Sequence, residues 1–252
     1  MRNKGNFFLK KKPLISSKPL VRIPHNRPLK TSRTRPQYRF LRVVGEGAFG
    51  TVYAAKGQGN KIVAIKKVLI DTNYMNREMD ILRILKHPNC ISLLNQFTTR
   101  EGPNQYENYV MQYIPLNLNQ FSTKFSLQNE FPIFLLKLFS FQLFSGINYI
   151  HSLGLTHRDI KPHNVLVDPD EGILKICDFG SAKFLKEGET NVSYIASRFY
   201  RAPELLMNSA QYTCKIDIWA AGCIIAEMLT AGKSIFQGES NYHVLEDIVN
   251  II

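Results

Sequence analysis

The sequence predicts an α+β fold of two lobes about a cleft, a five-stranded antiparallel lobe carrying one helix followed by a mainly helical lobe. Three observations predict it. Short β-rich runs separated by Gly or Asn fill residues 38–113, with a single helical interruption. Beyond Pro115 the apolar residues fall instead into long runs at helical spacing. A hydrophobic content of 44% over 252 residues can bury a sizeable core in one domain or in two lobes sharing a cleft, and excludes a disordered chain.

Taken in order, residues 1–37 form a basic tail. They hold eleven of the chain's 32 Lys and Arg residues, five prolines and none of its 20 acids, so like-charge repulsion and proline predict a solvated, disordered segment. Residues 38–252 then carry 21 basic side chains against 20 acidic, and the excess behind the net charge of +12 sits in the tail. The tail's composition also resembles an organelle transit peptide, but its prolines spoil the amphipathic helix such a peptide needs, and a regulatory or nuclear-targeting tail is preferred. Strands follow at 38–44, 51–56 and 62–70 as a meander. A helix over 76–86 places Met79, Leu82 and Leu85 on one face and is stopped by His87-Pro88-Asn89. Strands at 91–98 and 108–113 complete the first lobe, 38–115. The second lobe, 116–252, has helices at 132–153 and 216–230. The apolar run 131–150 approaches a bilayer span in length, yet Pro132, Lys137, Gln142 and Asn148 interrupt it, which predicts a buried helix.

The densest chemistry lies in His157-Arg158-Asp159-Ile160-Lys161-Pro162-His163-Asn164, followed fourteen residues after Asn164 by Asp178-Phe179-Gly180. Moving a phosphoryl group from ATP needs a carboxylate that orients and deprotonates the acceptor hydroxyl, and oxygen ligands that hold Mg²⁺ against the triphosphate. Asp159 fits the first task and Asn164 and Asp178 the second, while Lys161 would stabilise the charge on the transferring group. A lone Asp or Asn reads as turn or cap chemistry, but the joint spacing of these groups does not. Gly45-Glu46-Gly47-Ala48-Phe49-Gly50-Thr51-Val52 fits a loop whose missing side chains let backbone N–H groups approach phosphates. Alone it reads equally well as a hairpin without a ligand; strands on both sides and Val63-Ala64-Ile65-Lys66 beyond favour a nucleotide. Lys66 lies on an alternating strand, and Glu78, twelve residues on, is the expected ion-pair partner that aims it at the α- and β-phosphates. As a surface pair it is expected to matter more for turnover than for stability.

By these residues the sequence over 38–252 resembles the eukaryotic protein kinases. Within them it is most similar to the glycogen synthase kinase (shaggy-type) family, through Leu174-Lys175-Ile176-Cys177-Asp178-Phe179-Gly180-Ser181-Ala182-Lys183 and Ser193-Tyr194-Ile195-Ala196-Ser197-Arg198-Phe199-Tyr200-Arg201-Ala202-Pro203-Glu204. No T-x-Y dipeptide-type phosphosite precedes Ala202, unlike the mitogen-activated kinases, and no P-S-T-A-I-R-E-like segment precedes Glu78, unlike cyclin-dependent ones. The resemblance implies a two-lobed protein kinase fold and transfer of the ATP γ-phosphate, with Mg²⁺, to Ser or Thr of protein substrates. It implies a nucleotide site that includes Val52, Ala64, a gatekeeper at Met111 and an adenine-holding hinge at Gln112-Tyr113-Ile114. Leu82, Leu93, His157 and Phe179 match an apolar stack between lobes, and Asp217 matches an anchor of the catalytic loop. The family takes substrates already phosphorylated C-terminal to the target, and Arg77, Arg158 and Lys183 match its phosphate pocket, where Arg pairing is charge-assisted and often bidentate. Tyr194 matches a tyrosine that the family phosphorylates on itself; a merely packed tyrosine is the alternative.

Family members continue for several helices beyond the position of Ile252, so the resemblance also implies a C-terminally shortened C-lobe. Glu204, whose Arg partner would lie beyond it, is expected to be an unpaired buried carboxylate. Two functions follow, an active Ser/Thr kinase and a catalytically impaired kinase-like interaction module, and the intact Lys66, Glu78, Asp159, Asn164 and Asp178 favour the first. Scaffold proteins are expected partners and a membrane is not. Nucleic acid is disfavoured because the tail offers only Phe7 and Phe8 near Lys10, Lys11 and Lys12 as stacking platforms. Thr31 or Ser32, in Arg27-Pro28-Leu29-Lys30-Thr31-Ser32, loosely resembles an autoinhibitory phosphosite. Cys90, Cys177, Cys214 and Cys223 lie far apart without a CxxC, which predicts reduced thiols and a cytoplasmic or nuclear location.

Overall fold

The structure is a computed structural model describing residues 38–47, 50–70, 77–125, 130–186 and 188–252. The tail 1–37 with Thr31 and Ser32, and the loop residues Ala48 and Phe49, lie outside the described residues. β-Branched and aromatic residues build β1 (Arg39–Gly47), β2 (Gly50–Lys56), β3 (Ile62–Leu69), β4 (Leu93–Glu101) and β5 (Asn104–Gln112). They form one antiparallel sheet in the order β1-β2-β3-β5-β4. β4 and β5 run further than the sequence predicts because Glu101 pairs directly with Asn104 across a tight turn. Gly102 opens that turn at φ 57°, where glycine carries no Cβ penalty. At the other hairpin Gly50 has φ 128°, and a Cβ there would stand 2.3 Å from the Lys67 carbonyl oxygen. Close packing of β2 on β3 therefore demands the third glycine of the loop before any ligand is considered.

One face of the sheet buries Ala55, Val63, Ile65 and Val110. The other receives α1 (Glu78–Ile84), which buries Met79, Ile81 and Leu82. Between α1 and β4 the chain, through His87, Pro88 and Asn89, is clamped to the second lobe: Ile91 N donates to Ile176 O at 2.8 Å, and Ile176 N donates to Asn89 O at 2.9 Å. This clamp lies two residues before Asp178.

The second lobe begins with β6 (Leu116–Asn117) and α2 (Leu118–Ser122), where Asn117 and Gln120 form a reciprocal capping box. α3 (Ile133–Ser152) buries Leu136, Phe139, Leu143, Ile147 and Ile150, a spacing that keeps one stripe of the helix inward. By length and composition α3 is apolar enough to cross a membrane, and here that inward stripe is the core of the lobe while Phe134 and Phe141 remain exposed. Gly146 lets it approach the clamp, since a Cβ would lie 2.9 Å from Ile176 Cδ1 and 3.0 Å from Asn89 O. The short strands β7 (Leu155–Thr156), β8 (Val165–Asp168), β9 (Ile173–Ile176) and β10 (Lys183–Phe184) carry the loops of the cleft: β6, β8 and β9 pair in one small sheet, β7 and β10 in another. α4 (Pro203–Leu206), α5 (Lys215–Leu229) and α6 (Asn241–Ile251) complete the described chain, with α5 packed on α3. Glu204, expected to be buried, is half-buried at the edge of a cavity of about 510 Å³ lined also by Trp219, Phe236 and Ile252, so it escapes the full cost of burial.

Candidate active site

β3 and α1 bring Lys66 and Glu78 together. The Lys66 ammonium donates to Glu78 Oε1 at 2.8 Å and Oε2 at 2.7 Å, and to Asp178 Oδ1 at 3.0 Å. Lys66 is 7% exposed and Glu78 3%, so the pair is buried and not the surface pair that the sequence alone predicts. Glu78 itself lies among the buried residues of α1, with Met79, Ile81 and Leu82, which no local pattern around Lys66 reveals. Burial alone would lower the Lys66 pKa, but the two carboxylates prevail and raise it. Burial likewise opposes charge on Asp178, where Lys66 overcomes it and holds the carboxyl below its usual range, whereas at Glu78 burial prevails and pushes the carboxyl up. One cation shared between two carboxylates, one of them more open to solvent, has this outcome.

Sheet register places the expected nucleotide residues side by side. Gly45 pairs with Val52, Glu46 with Thr51 and Gly47 with Gly50. Val52 pairs in turn with Lys66, and Ala64 with Met111. Met111 is buried, Gln112 ends β5, and Tyr113 and Ile114 follow as the connection to the second lobe.

The loop between β7 and β8 is held from below by α5. Asp217, 1% exposed in the first turn of α5, accepts from His157 N at 2.8 Å and from Arg158 N at 2.9 Å. Arg158 has φ 68°, a strained conformation that this carboxylate helps to fix. His157 Nδ1 accepts from Asp159 N at 3.3 Å, and Nε2 lies 2.9 Å from Cys177 O, so Nε2 carries the hydrogen. The same ring packs on Phe179 at 4.9 Å between centroids. Leu82, His157 and Phe179 are buried and Leu93 packs against their cluster, as the apolar stack requires.

Asp159 is the hub of the polar groups. Its Oδ2 accepts from Lys161 Nζ at 2.8 Å and from Asn164 Nδ2 at 3.0 Å, and its Oδ1 accepts from Ser197 Oγ at 3.2 Å. Lys161 also reaches Ser197 Oγ at 3.1 Å, and Asn164 Nδ2 donates to Asp159 O at 2.8 Å. Ser197 has no role in the sequence reading, although it falls within the segment that carries the resemblance; its signal is a hydroxyl four residues before Arg201-Ala202-Pro203-Glu204. With its amide hydrogens committed, Asn164 keeps Oδ1 as a ligand atom, and Asp178, at φ 59° with its side chain 38% exposed, offers carboxylate oxygen. These are hard oxygen donors that suit Mg²⁺. Among the described residues no cluster of three or more His, Cys, Asp or Glu is arranged to hold a metal.

Two of the three expected phosphate-pocket residues meet one segment. Arg158 donates from Nε to Ser181 O at 2.7 Å and from Nη1 to Tyr212 Oη at 3.2 Å, and Tyr212 ties down Val192 O at 3.0 Å. Lys183 Nζ donates to Glu189 Oε1 at 2.9 Å and to Asn191 Oδ1 at 2.6 Å. Arg77 is exposed at the start of α1, and among the described residues no hydrogen bond joins it to the other two. Tyr194 is 74% exposed, and the Arg201 guanidinium lies 4.7 Å from its ring centroid. The ring is therefore not buried, although it rests against Arg201.

The protein kinase domain family matches residues 38–252. Among curated proteins, the chain is 45% identical over 228 residues to a protein named Glycogen synthase kinase 1 of Pyricularia oryzae. That match covers 88% of this chain and 57% of the relative, so the chain spans a little over half the relative's length. The likeness agrees with the resemblance carried by residues 174–204.

Proposed function

The chain belongs to the protein kinase domain family, and from that premise we propose that it is a Ser/Thr protein kinase that moves the ATP γ-phosphate to hydroxyls of protein substrates, preferring substrates that already carry a phosphate. The observation that supports this most is the Asp159 carboxylate, which receives Lys161, Asn164 and Ser197 at hydrogen-bond distance. In this reading Asp159 orients the acceptor hydroxyl and takes its proton, and Lys161 donates to the transferring phosphoryl oxygens. Lys66, held by Glu78, meets the α- and β-phosphates. Asn164 Oδ1 and the Asp178 carboxylate hold Mg²⁺, which when bound neutralises charge on the triphosphate. Val52, Ala64, Met111 and the 112–114 connection line the adenine side. Ser197 ties the base to the chain that returns after β10.

Arg158 and Lys183, with Arg77, receive the priming phosphate. Lys183 already donates to a carboxylate, Glu189, and in this reading a phosphate replaces it. Tyr194, exposed beside Arg201, is the site of self-phosphorylation. Scaffold proteins and a cytoplasmic or nuclear location belong to the same proposal.

The test uses the 252-residue chain, Mg·ATP and matched primed and unprimed Ser peptides, with Asp178→Ala as the blank. The primed peptide is expected to be phosphorylated several-fold faster and the blank to be silent. Equal rates on both peptides reject the priming pocket, and undiminished transfer by the blank rejects the site.

A further inference from the structure

α3 carries a second apolar row besides the stripe that builds the core. Phe134, Leu138 and Phe141 stand at i, i+4 and i+7, which aligns them along one face of the helix. Phe134 is 71% exposed and Phe141 72%, while Leu138 between them is partly buried. Two open rings in one row form a patch, unlike the scattered apolar side chains of any surface.

Acids border this row. The turn between β8 and β9 rests on α3, because Gln142 Nε2 donates to Gly172 O at 2.7 Å and a Cβ on Gly172 would stand 3.2 Å from Leu138 Cδ2. That turn carries Asp168, Asp170 and Glu171, the last two exposed, and Glu130, also exposed, lies just ahead of α3. Asp168 is half-buried and accepts from Glu171 N at 3.3 Å, so its charge is partly spent inside the turn. Lys137, the one lysine of α3, opposes them and is outnumbered.

Apolar rings edged by acid call for an apolar ligand edged by base, and the chain itself holds one. Phe7-Phe8-Leu9-Lys10-Lys11-Lys12 sets three apolar side chains directly before three cations, and residues 1–37 contain no acid to compete. The tether is long enough. Residues 13–37 can span at most about 80–90 Å, whereas residues 38–252 make a body roughly 45 Å across and about 70 Å half-way round. The tether meets that body at Tyr38, whose ring stacks on Phe97 at 5.4 Å and whose Oη accepts from Asn95 Nδ2 at 3.3 Å. A tethered segment also has an effective concentration that a free partner lacks.

We propose that residues 7–12 dock on α3, with Phe7, Phe8 and Leu9 against the row of Phe134, Leu138 and Phe141, and with Lys10, Lys11 and Lys12 towards Asp170 and Glu171. The contact lies outside the cleft and does not depend on phosphotransfer.

Trypsin, read site by site by mass spectrometry on the full chain, tests it. Cleavage after Lys10 and Lys11, relative to Arg22 and Lys30 in the same tail, is compared with the same ratio in a synthetic peptide of residues 1–37. The ratio in the full chain is expected to be about tenfold lower, because cleavage follows the undocked fraction. Phe134→Asp with Phe141→Asp, at exposed positions, is expected to restore the peptide's ratio. Phe7→Ser with Phe8→Ser should do the same, and it changes no residue of 38–252. Asp170→Asn with Glu171→Gln should recover part of it, as should raised salt. A ratio equal to the peptide's overturns the proposal. So does protection that survives either pair of phenylalanine changes, that grows with protein concentration and so comes from a second copy, or that appears only with vesicles containing phosphatidylserine.

Discussion

Two lysine–glutamate pairs in the same molecule have nearly the same length, 2.7 Å for Lys66–Glu78 and 2.9 Å for Lys183–Glu189, and opposite surroundings. The first pair has side chains 9% and 3% exposed, beneath α1; the second, between β10 and the segment that follows it, has side chains 22% and 37% exposed. Distance therefore does not separate them, and environment does. Removing Glu78 from the buried pair leaves a buried ammonium with Asp178, at 3.0 Å, as its remaining carboxylate and little water, whereas the more open pair leaves its lysine able to exchange one anion for another. The buried pair suits fixed machinery, and the half-buried, more open pair suits recognition.

The largest expected effect breaks the buried pair. Glu78→Ala should lower the unfolding free energy in urea titration by more than a surface pair would, yet by less than the about 3–5 kcal/mol of a buried charge left with no partner, because Asp178 still reaches Lys66, and it should also suppress peptide phosphorylation. A loss of less than about 1 kcal/mol would make this pair resemble a surface one. Next comes Gly50→Ala, which places a Cβ against the Lys67 carbonyl beside Lys66. We expect about 1–3 kcal/mol of destabilisation, read from the same titration, because the clash is with backbone and φ is positive.

A smaller effect follows from His151, whose pKa is about 9 in the folded chain against 6.5 for the free ring. A raised pKa contributes stability that is complete below about 6.5 and is lost as pH rises through about 9. Melting temperature should thus decline over that window in the wild type, and the decline should flatten in His151→Gln. The smallest effect on stability belongs to Glu189→Gln. It should leave the urea midpoint unchanged yet raise the ratio of primed to unprimed rates, since Lys183 no longer holds a competing carboxylate. A shifted midpoint with an unchanged ratio would place Glu189 in the structural class with Glu78.

What was legible in the sequence was local. Residues 157–164 and 178–180 announce their chemistry because spacing along the chain is enough to define them, and the five strands show because alternation and turn residues act over a few positions. Burial of Lys66–Glu78 was not legible, because it depends on α1 docking over β3. Ser197 reaches Asp159 from 38 residues away, and His151 meets Asp217 from 66. No periodicity encodes such meetings; the packing of α3 on α5 and the return of the segment after β10 create them. The glycine loop shows a third situation, in which the motif is right but Gly50 is required first by the Lys67 backbone.

Asp159→Asn tests the central claim most directly, because it keeps the shape of the hub while removing its proton acceptor. In single-turnover transfer from Mg·ATP to the primed peptide, with nucleotide binding measured in parallel, binding should persist while transfer falls by roughly 10²–10⁴-fold. Transfer that stays within about tenfold of the wild type would contradict the assignment of Asp159 as the base.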